Sequence, residues 1–195
     1  MSKIILEVHL KSLADSVHLP VLDITPSATA CHFRLVDCAR YVHHRTLSIC
    51  ELTEFPPSCY SYAAISYVWK GNSVDESTVG SRFIVAGAED GDPIGVEALL
   101  HACTAALRED IPYIWLDRLC IMQTDSNDKA WQIERMFAIY QGSTLCLVLP
   151  GGIQRLIRLD ETTTWITRGW TLQEALAPPR VEVIYSWQYG SGMYY

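Results

Sequence analysis

The chain has 195 residues, 49% of them hydrophobic and 19% charged, enough for one domain with a substantial core and short for two. That balance excludes a disordered or fibrous polymer, and a formal charge of -7 without any run of Lys or Arg argues against a nucleic-acid partner, whose phosphates it would repel. No apolar stretch approaches membrane-spanning length, and seven irregularly spaced cysteines without a Cys-x-x-Cys pair fit reduced thiols in the cytoplasm better than a disulfide framework.

Residues 1–30 are weakly patterned, and Pro20, Pro26 and the run from Thr25 to Thr29 mark loop. Short strands are expected at 33–38 and 47–52, the second closed by Pro56 and Pro57. Residues 1–58 therefore read as an amino-terminal extension with short strands, packed on a main domain at 59–195. The apolar run 62–69 is the first strand of the main sheet, followed by a short strand at 82–86. Val96, Leu99, Leu100, Cys103 and Leu107 then repeat at i, i+3, i+4, i+7 and mark a helix that stops before Pro112.

Residues 113–116 form an apolar run without alternation, the mark of a strand buried on both faces. It reads as the central strand, so Asp117, Arg118, Cys120 and Gln123, just past its carboxyl end, are where chemistry is to be sought. N-cap residues at 124–127 precede a helix whose apolar face is Ala130, Ile133, Met136, Phe137 and Tyr140, stopped at Gly142. A strand at 144–149, a short helix at 168–175 ended by Pro178 and Pro179, and a last strand at 181–185 complete the order. Strands and helices alternating at these intervals predict an α/β fold with a mainly parallel sheet and crossover helices.

Several constellations have a chemical and a plain reading. Cys31, Cys38, Cys50 and Cys59 with His32, His43 and His44 invite zinc, but paired ligands two to four residues apart are lacking, so no metal is expected. Cys120 is placed for a nucleophile, with His101 as a base only if the fold brings it near; burial is the commoner fate of cysteine. Phosphate-cradling glycine motifs are absent, and Gly151 with Gly152 reads as a turn. Trp170 and Glu174, four apart, share a helix face and present an aromatic surface beside a carboxylate; the plain alternative is a core tryptophan and a solvated or ion-paired glutamate. For Asp117 the plain alternative is an N-cap or a partner for Arg118 or Lys129.

Residues 62–69 (YAAISYVW), 114–123 (IWLDRLCIMQ) and 168–174 (RGWTLQE) together resemble the three signature blocks of the fungal heterokaryon incompatibility (HET) domain, and 129–140 fits between them. The match departs at Lys70, which precedes the glycine that usually follows the tryptophan, and at Met122, where Asn is usual. The resemblance implies self/non-self recognition and programmed cell death, and a distant similarity to TIR domains with their flavodoxin-like sheet. Some TIR domains cleave NAD with a glutamate in a Trp-x-x-x-Glu segment, the form that Trp170 to Glu174 has. It thereby implies Glu174 as essential carboxylate with Asp117 as a secondary candidate, and Trp69, Lys70, Gly71, Arg118, Arg168 and Trp170 around NAD as substrate, with no required cofactor. The alternative is a non-catalytic signalling module that works by self-association or with other death-signalling proteins.

Overall fold

The computed structural model describes residues 2–14, 18–55, 60–77, 79–189 and 192–194, with side chains through 186. Strands β1 (Ser2–His9), β3 (Phe33–Asp37), β4 (Thr46–Leu52), β5 (Tyr62–Tyr67), β8 (Tyr113–Trp115), β9 (Leu145–Leu149) and β10 (Val181–Val183) build one seven-stranded sheet in the order β1-β4-β3-β8-β5-β9-β10. The strands β8, β5, β9 and β10 run parallel, whereas β3, β4 and β1 are added antiparallel. The class is α/β and the sheet is mixed rather than mainly parallel. A small second sheet joins β2 (Val21–Leu22), β6 (Arg82–Val85) and β7 (Ile94–Gly95), and β11 (Trp187–Tyr189) pairs with β12 (Gly192–Tyr194).

The parallel half follows from side-chain patterning. All of β5, with its β-branched and aromatic residues, is buried, as is β9, which is what a strand covered on both faces requires. The helix α3 (Val96–Arg108) buries Val96, Ala98, Leu99, Ala102, Cys103 and Ala106, and Arg108 ends it four residues before Pro112. Along the chain the parallel strands appear second, first, third and fourth across the sheet, so the strand order reverses at β5. Loops leaving its carboxyl end and those of its neighbours therefore border a crevice.

The amino-terminal region behaves differently from a simple extension. β1, α1 (Leu10–Ala14) and α2 (Cys38–His44) were not evident from periodicity, yet β4 is buried along its whole length between β1 and β3. Helix α2 begins where the expected strand 33–38 ends, because the Asp37 carboxylate caps the Arg40 amide at 2.9 Å. Arg34, wholly buried on β3, joins this region to the rest. Its Nη1 donates to Asp128 Oδ2 and to the Cys120 carbonyl, both at 2.9 Å, its Nη2 to Asp128 Oδ1 at 3.1 Å, and its Nε to Glu51 Oε2 at 3.2 Å. A guanidinium without water must be neutralised and hydrogen-bonded in this way.

The helix expected across 130–140 is two helices, α5 (Ser126–Glu134) and α6 (Met136–Gly142), separated by Arg135. The Arg135 guanidinium lies 4.3 Å from the Trp131 ring centroid and its Nη1 takes the Trp131 carbonyl at 3.1 Å, while the Arg135 amide turns to Gln132 at 3.1 Å. The helical ladder is broken there. As a result Ile133 and Phe137 are exposed, against the expected apolar face, and Asp128 and Gln132 are buried instead.

Candidate functional site

Ser66 and Tyr67 end β5, and adjacent strand residues send their side chains to opposite faces. Each organises a polar cluster. The short helix α4 (Asp117–Cys120) follows β8, and its Asp117 carboxylate accepts the Tyr67 hydroxyl at 2.7 Å and the Arg118 amide at 2.7 Å. On the other face Ser66 donates to Glu174 Oε2 at 2.5 Å and accepts the Trp165 indole N–H at 2.7 Å. Glu174 sits on α7 (Thr171–Leu176), and Arg168 clamps it with two bonds of 3.2 Å, one to each carboxylate oxygen.

Local chemistry holds the Glu174 segment in place. A 3-10 turn at Trp165–Thr167 precedes α7, and the buried Thr171 hydroxyl donates to the Trp165 carbonyl at 2.5 Å. Pro178 and Pro179 prevent the helix from continuing. Turn and helix are thereby fixed as one unit against the end of β5.

Both carboxyl groups sit above the ordinary range, and burial is the first cause for each. For Glu174 the Ser66 hydroxyl and Arg168 pull in the opposite direction, while the Asp117 charge adds to the rise. For Asp117 the Tyr67 hydroxyl and the Arg118 and Arg168 charges oppose burial. The two clusters thus share one electrostatic environment although they leave β5 on different faces.

The structure places the expected residues unevenly. Trp69 stacks on Tyr67 with ring centroids 6.4 Å apart, and Arg118 lies 4.1 Å from the Trp69 ring centroid. The Arg118 guanidinium is buried and committed to backbone, donating from Nη2 to the Trp69 carbonyl at 2.8 Å and from Nη1 to the Asp92 carbonyl. Its Nε has no hydrogen-bond partner among the described residues. Lys70 is exposed. Gly71 donates its amide to Asp92 at 2.6 Å, and a Cβ there would stand 2.0 Å from the Gly151 carbonyl oxygen, so the loops after β5 and β9 meet backbone to backbone. Gly151 and Gly152 are more than a turn. Trp170 is 49% exposed, which overturns its reading as packing.

Cys120 is buried packing. Loss of solvent pushes its thiol up to about 12, so it is no nucleophile at neutral pH. Ser66, Trp165 and Tyr67 escaped the sequence reading. Ser66 had a signal, as a hydroxyl within an apolar buried strand must find a partner; Trp165 had none. Among the described residues no group of three or more His, Cys, Asp or Glu is placed to hold a metal, and no helix is long and apolar enough to cross a membrane. A cleft of about 810 Å³ beside Ser73, Glu97, His101 and Arg155, and another of about 560 Å³ between α3 and β10, include neither Glu174 nor Asp117.

The strands and loops that frame these clusters coincide with a known sequence pattern: residues 62–156 match the family model described as heterokaryon incompatibility protein (HET). This stretch carries the HET-family pattern. It is 28% identical over 131 residues to the vegetative incompatibility protein HET-E-1 of Podospora anserina, covering 62% of this chain and 9% of that protein. It is 29% identical over 144 residues to the heterokaryon incompatibility protein 6, OR allele, of Neurospora crassa, covering 70% of this chain and 19% of that protein. The chain thus spans less than a fifth of the length of these curated relatives. No solved structure matches it. The HET match takes in Ser66, Trp69, Gly71, Asp117 and Arg118, and Arg168 and Glu174 lie beyond its last residue.

Proposed function

We propose that this HET protein serves fungal self/non-self recognition and the cell death that follows, acting as a TIR-like NAD glycohydrolase with Glu174 as its essential carboxylate. The observation that carries the reading is the position of Glu174. It is buried at the carboxyl ends of the parallel strands, held by Ser66 of β5 and by Arg168, and it shares its field with Asp117. The second, first, third, fourth order of the parallel strands supports the flavodoxin-like reading, in which a ligand lies at this reversal point.

In the reaction the bond between nicotinamide and ribose C1′ breaks, nicotinamide leaves as a neutral molecule with the bonding pair, and water adds to C1′ and loses a proton to solvent. Departure from a pyridinium needs no general acid, unlike an ordinary glycosidase. One carboxylate suffices to stabilise the oxocarbenium-like transition state.

The alternative is a non-catalytic module that signals by self-association. It is favoured by the outer surface of the segment that carries Glu174, where Ile166, Leu172 and Leu176 are each at least 68% exposed. The test is nicotinamide release from NAD by concentrated protein, run beside a cell-killing assay. Catalysis predicts that Glu174→Gln abolishes both signals. The second reading predicts that Glu174→Gln still kills, whereas Leu172→Glu with Leu176→Glu does not.

A further inference from the structure

Glu174 cannot meet a ligand in the conformation described. Each of its oxygens is engaged by Arg168, and one also by Ser66. The two partners are unequally accessible, the Arg168 side chain being 24% exposed and that of Glu174 9%. Anything arriving from solvent therefore reaches the guanidinium first. Arg168 spends one N–H of each terminal nitrogen on Glu174, and its guanidinium makes no other hydrogen bond among the described residues, so it retains donors for a second acceptor.

We propose that the Arg168–Glu174 pair is an exchangeable latch: an oxyanion of the ligand takes the Arg168 guanidinium, and the released Glu174 carboxylate turns to another group of the same ligand. The ligand class follows from the two partners. One end is a phosphate or diphosphate, which matches the planar guanidinium fork. The other end carries hydroxyls or a positive charge, which a buried carboxylate freed from its counter-ion requires. A phosphorylated riboside with a cationic base has both. The proposal rests on Glu174 being the carboxylate that faces the ligand.

Exchange explains why a carboxylate is kept buried beside an arginine rather than left open. Unpaired, Glu174 would be driven to its protonated form, since burial already raises it. The Ser66 hydroxyl, itself fixed by the Trp165 indole, retains one carboxylate oxygen while Arg168 departs. Ser66 is thus a positioning residue for the released state.

The test measures binding of inorganic pyrophosphate to the whole chain by titration calorimetry, with thermal melting to verify that each variant folds. Glu174→Gln removes the internal competitor, so pyrophosphate affinity rises about tenfold if the latch is closed nine-tenths of the time. Arg168→Gln lowers it at least tenfold, and Arg168→Lys, which keeps the charge and loses the fork, falls between. If Glu174→Gln does not fold, Glu174→Ala takes its place with the same expectation. Unchanged or weaker binding in the Glu174 variant, wild-type binding by Arg168→Gln, or no binding to any form overturns the latch. Pyrophosphate has no glycosidic bond, so a latch that passes while NAD stays intact refutes the hydrolase alone.

Discussion

Replacing Asp128 by Ala puts the buried charges of this fold to the test. Asp128 is fully buried and accepts two Arg34 nitrogens as well as the Cys31 amide at 2.7 Å and the Met122 amide at 2.8 Å. Truncation leaves Arg34 buried with only Glu51 as counter-ion and strands two amides. Breaking a buried ion pair from one side costs roughly 3–5 kcal/mol, a large part of the roughly 5–15 kcal/mol that holds a domain together. For a chain of this length each kcal/mol moves Tm by about 2–4 °C, so a fall of roughly 10 °C is expected. Urea melts followed by circular dichroism give the free-energy loss directly. The triple variant Arg34→Met with Glu51→Gln and Asp128→Leu is expected to lose less than Asp128→Ala alone, because all three buried charges go together and none is left uncompensated. A loss below about 1 kcal/mol for Asp128→Ala, or a larger loss for the triple variant, refutes the reasoning.

Three further outcomes follow from titration and burial. Arg155 binds Glu161 through both carboxylate oxygens at 2.9 and 2.6 Å and is the first cause that lowers its pKa from 4.5 to about 2. A depressed carboxylate stabilises the fold above its unfolded pKa and loses that contribution as pH falls, so urea midpoints measured between pH 5 and 2 drop less steeply in Glu161→Gln than in wild type. Glu174, with a raised pKa, acts in the opposite sense, and Glu174→Gln removes a contribution that is lost as pH rises. Native alkylation with iodoacetamide at pH 8, located by mass spectrometry, should mark exposed Cys31 and spare Cys120 and Cys146, whose thiols burial pushes up to about 12. Labelling of Cys120 before the protein unfolds contradicts its placement in the core.

Elements legible in the sequence and elements hidden in it divide by the range of the interactions that form them. Tyr62 to Tyr67, Tyr113 to Trp115 and Leu145 to Leu149 were legible as strands because burial on both faces demands unbroken apolar runs. α3 was legible because one buried face imposes its period. β1 was missed, since an edge strand with exposed and buried residues mixed has no such signature. The interruption at Arg135 was hidden too, being set by its own side chain on the Trp131 carbonyl.

By itself the sequence determined the α/β class, the location of the parallel strands and the family pattern that residues 62–156 match, all properties written in local patterns. It also singled out Glu174, Arg168 and Asp117 one at a time. Tertiary structure alone decided that Glu174 is held by Arg168 and by Ser66, which the Trp165 indole fixes in turn, that Arg118 is committed to backbone carbonyls, and that Arg34 bolts the amino-terminal strands to the core. The physical reason is distance along the chain. Ser66 and Glu174 are 108 residues apart, and such a pair exists only after the sheet has closed around it.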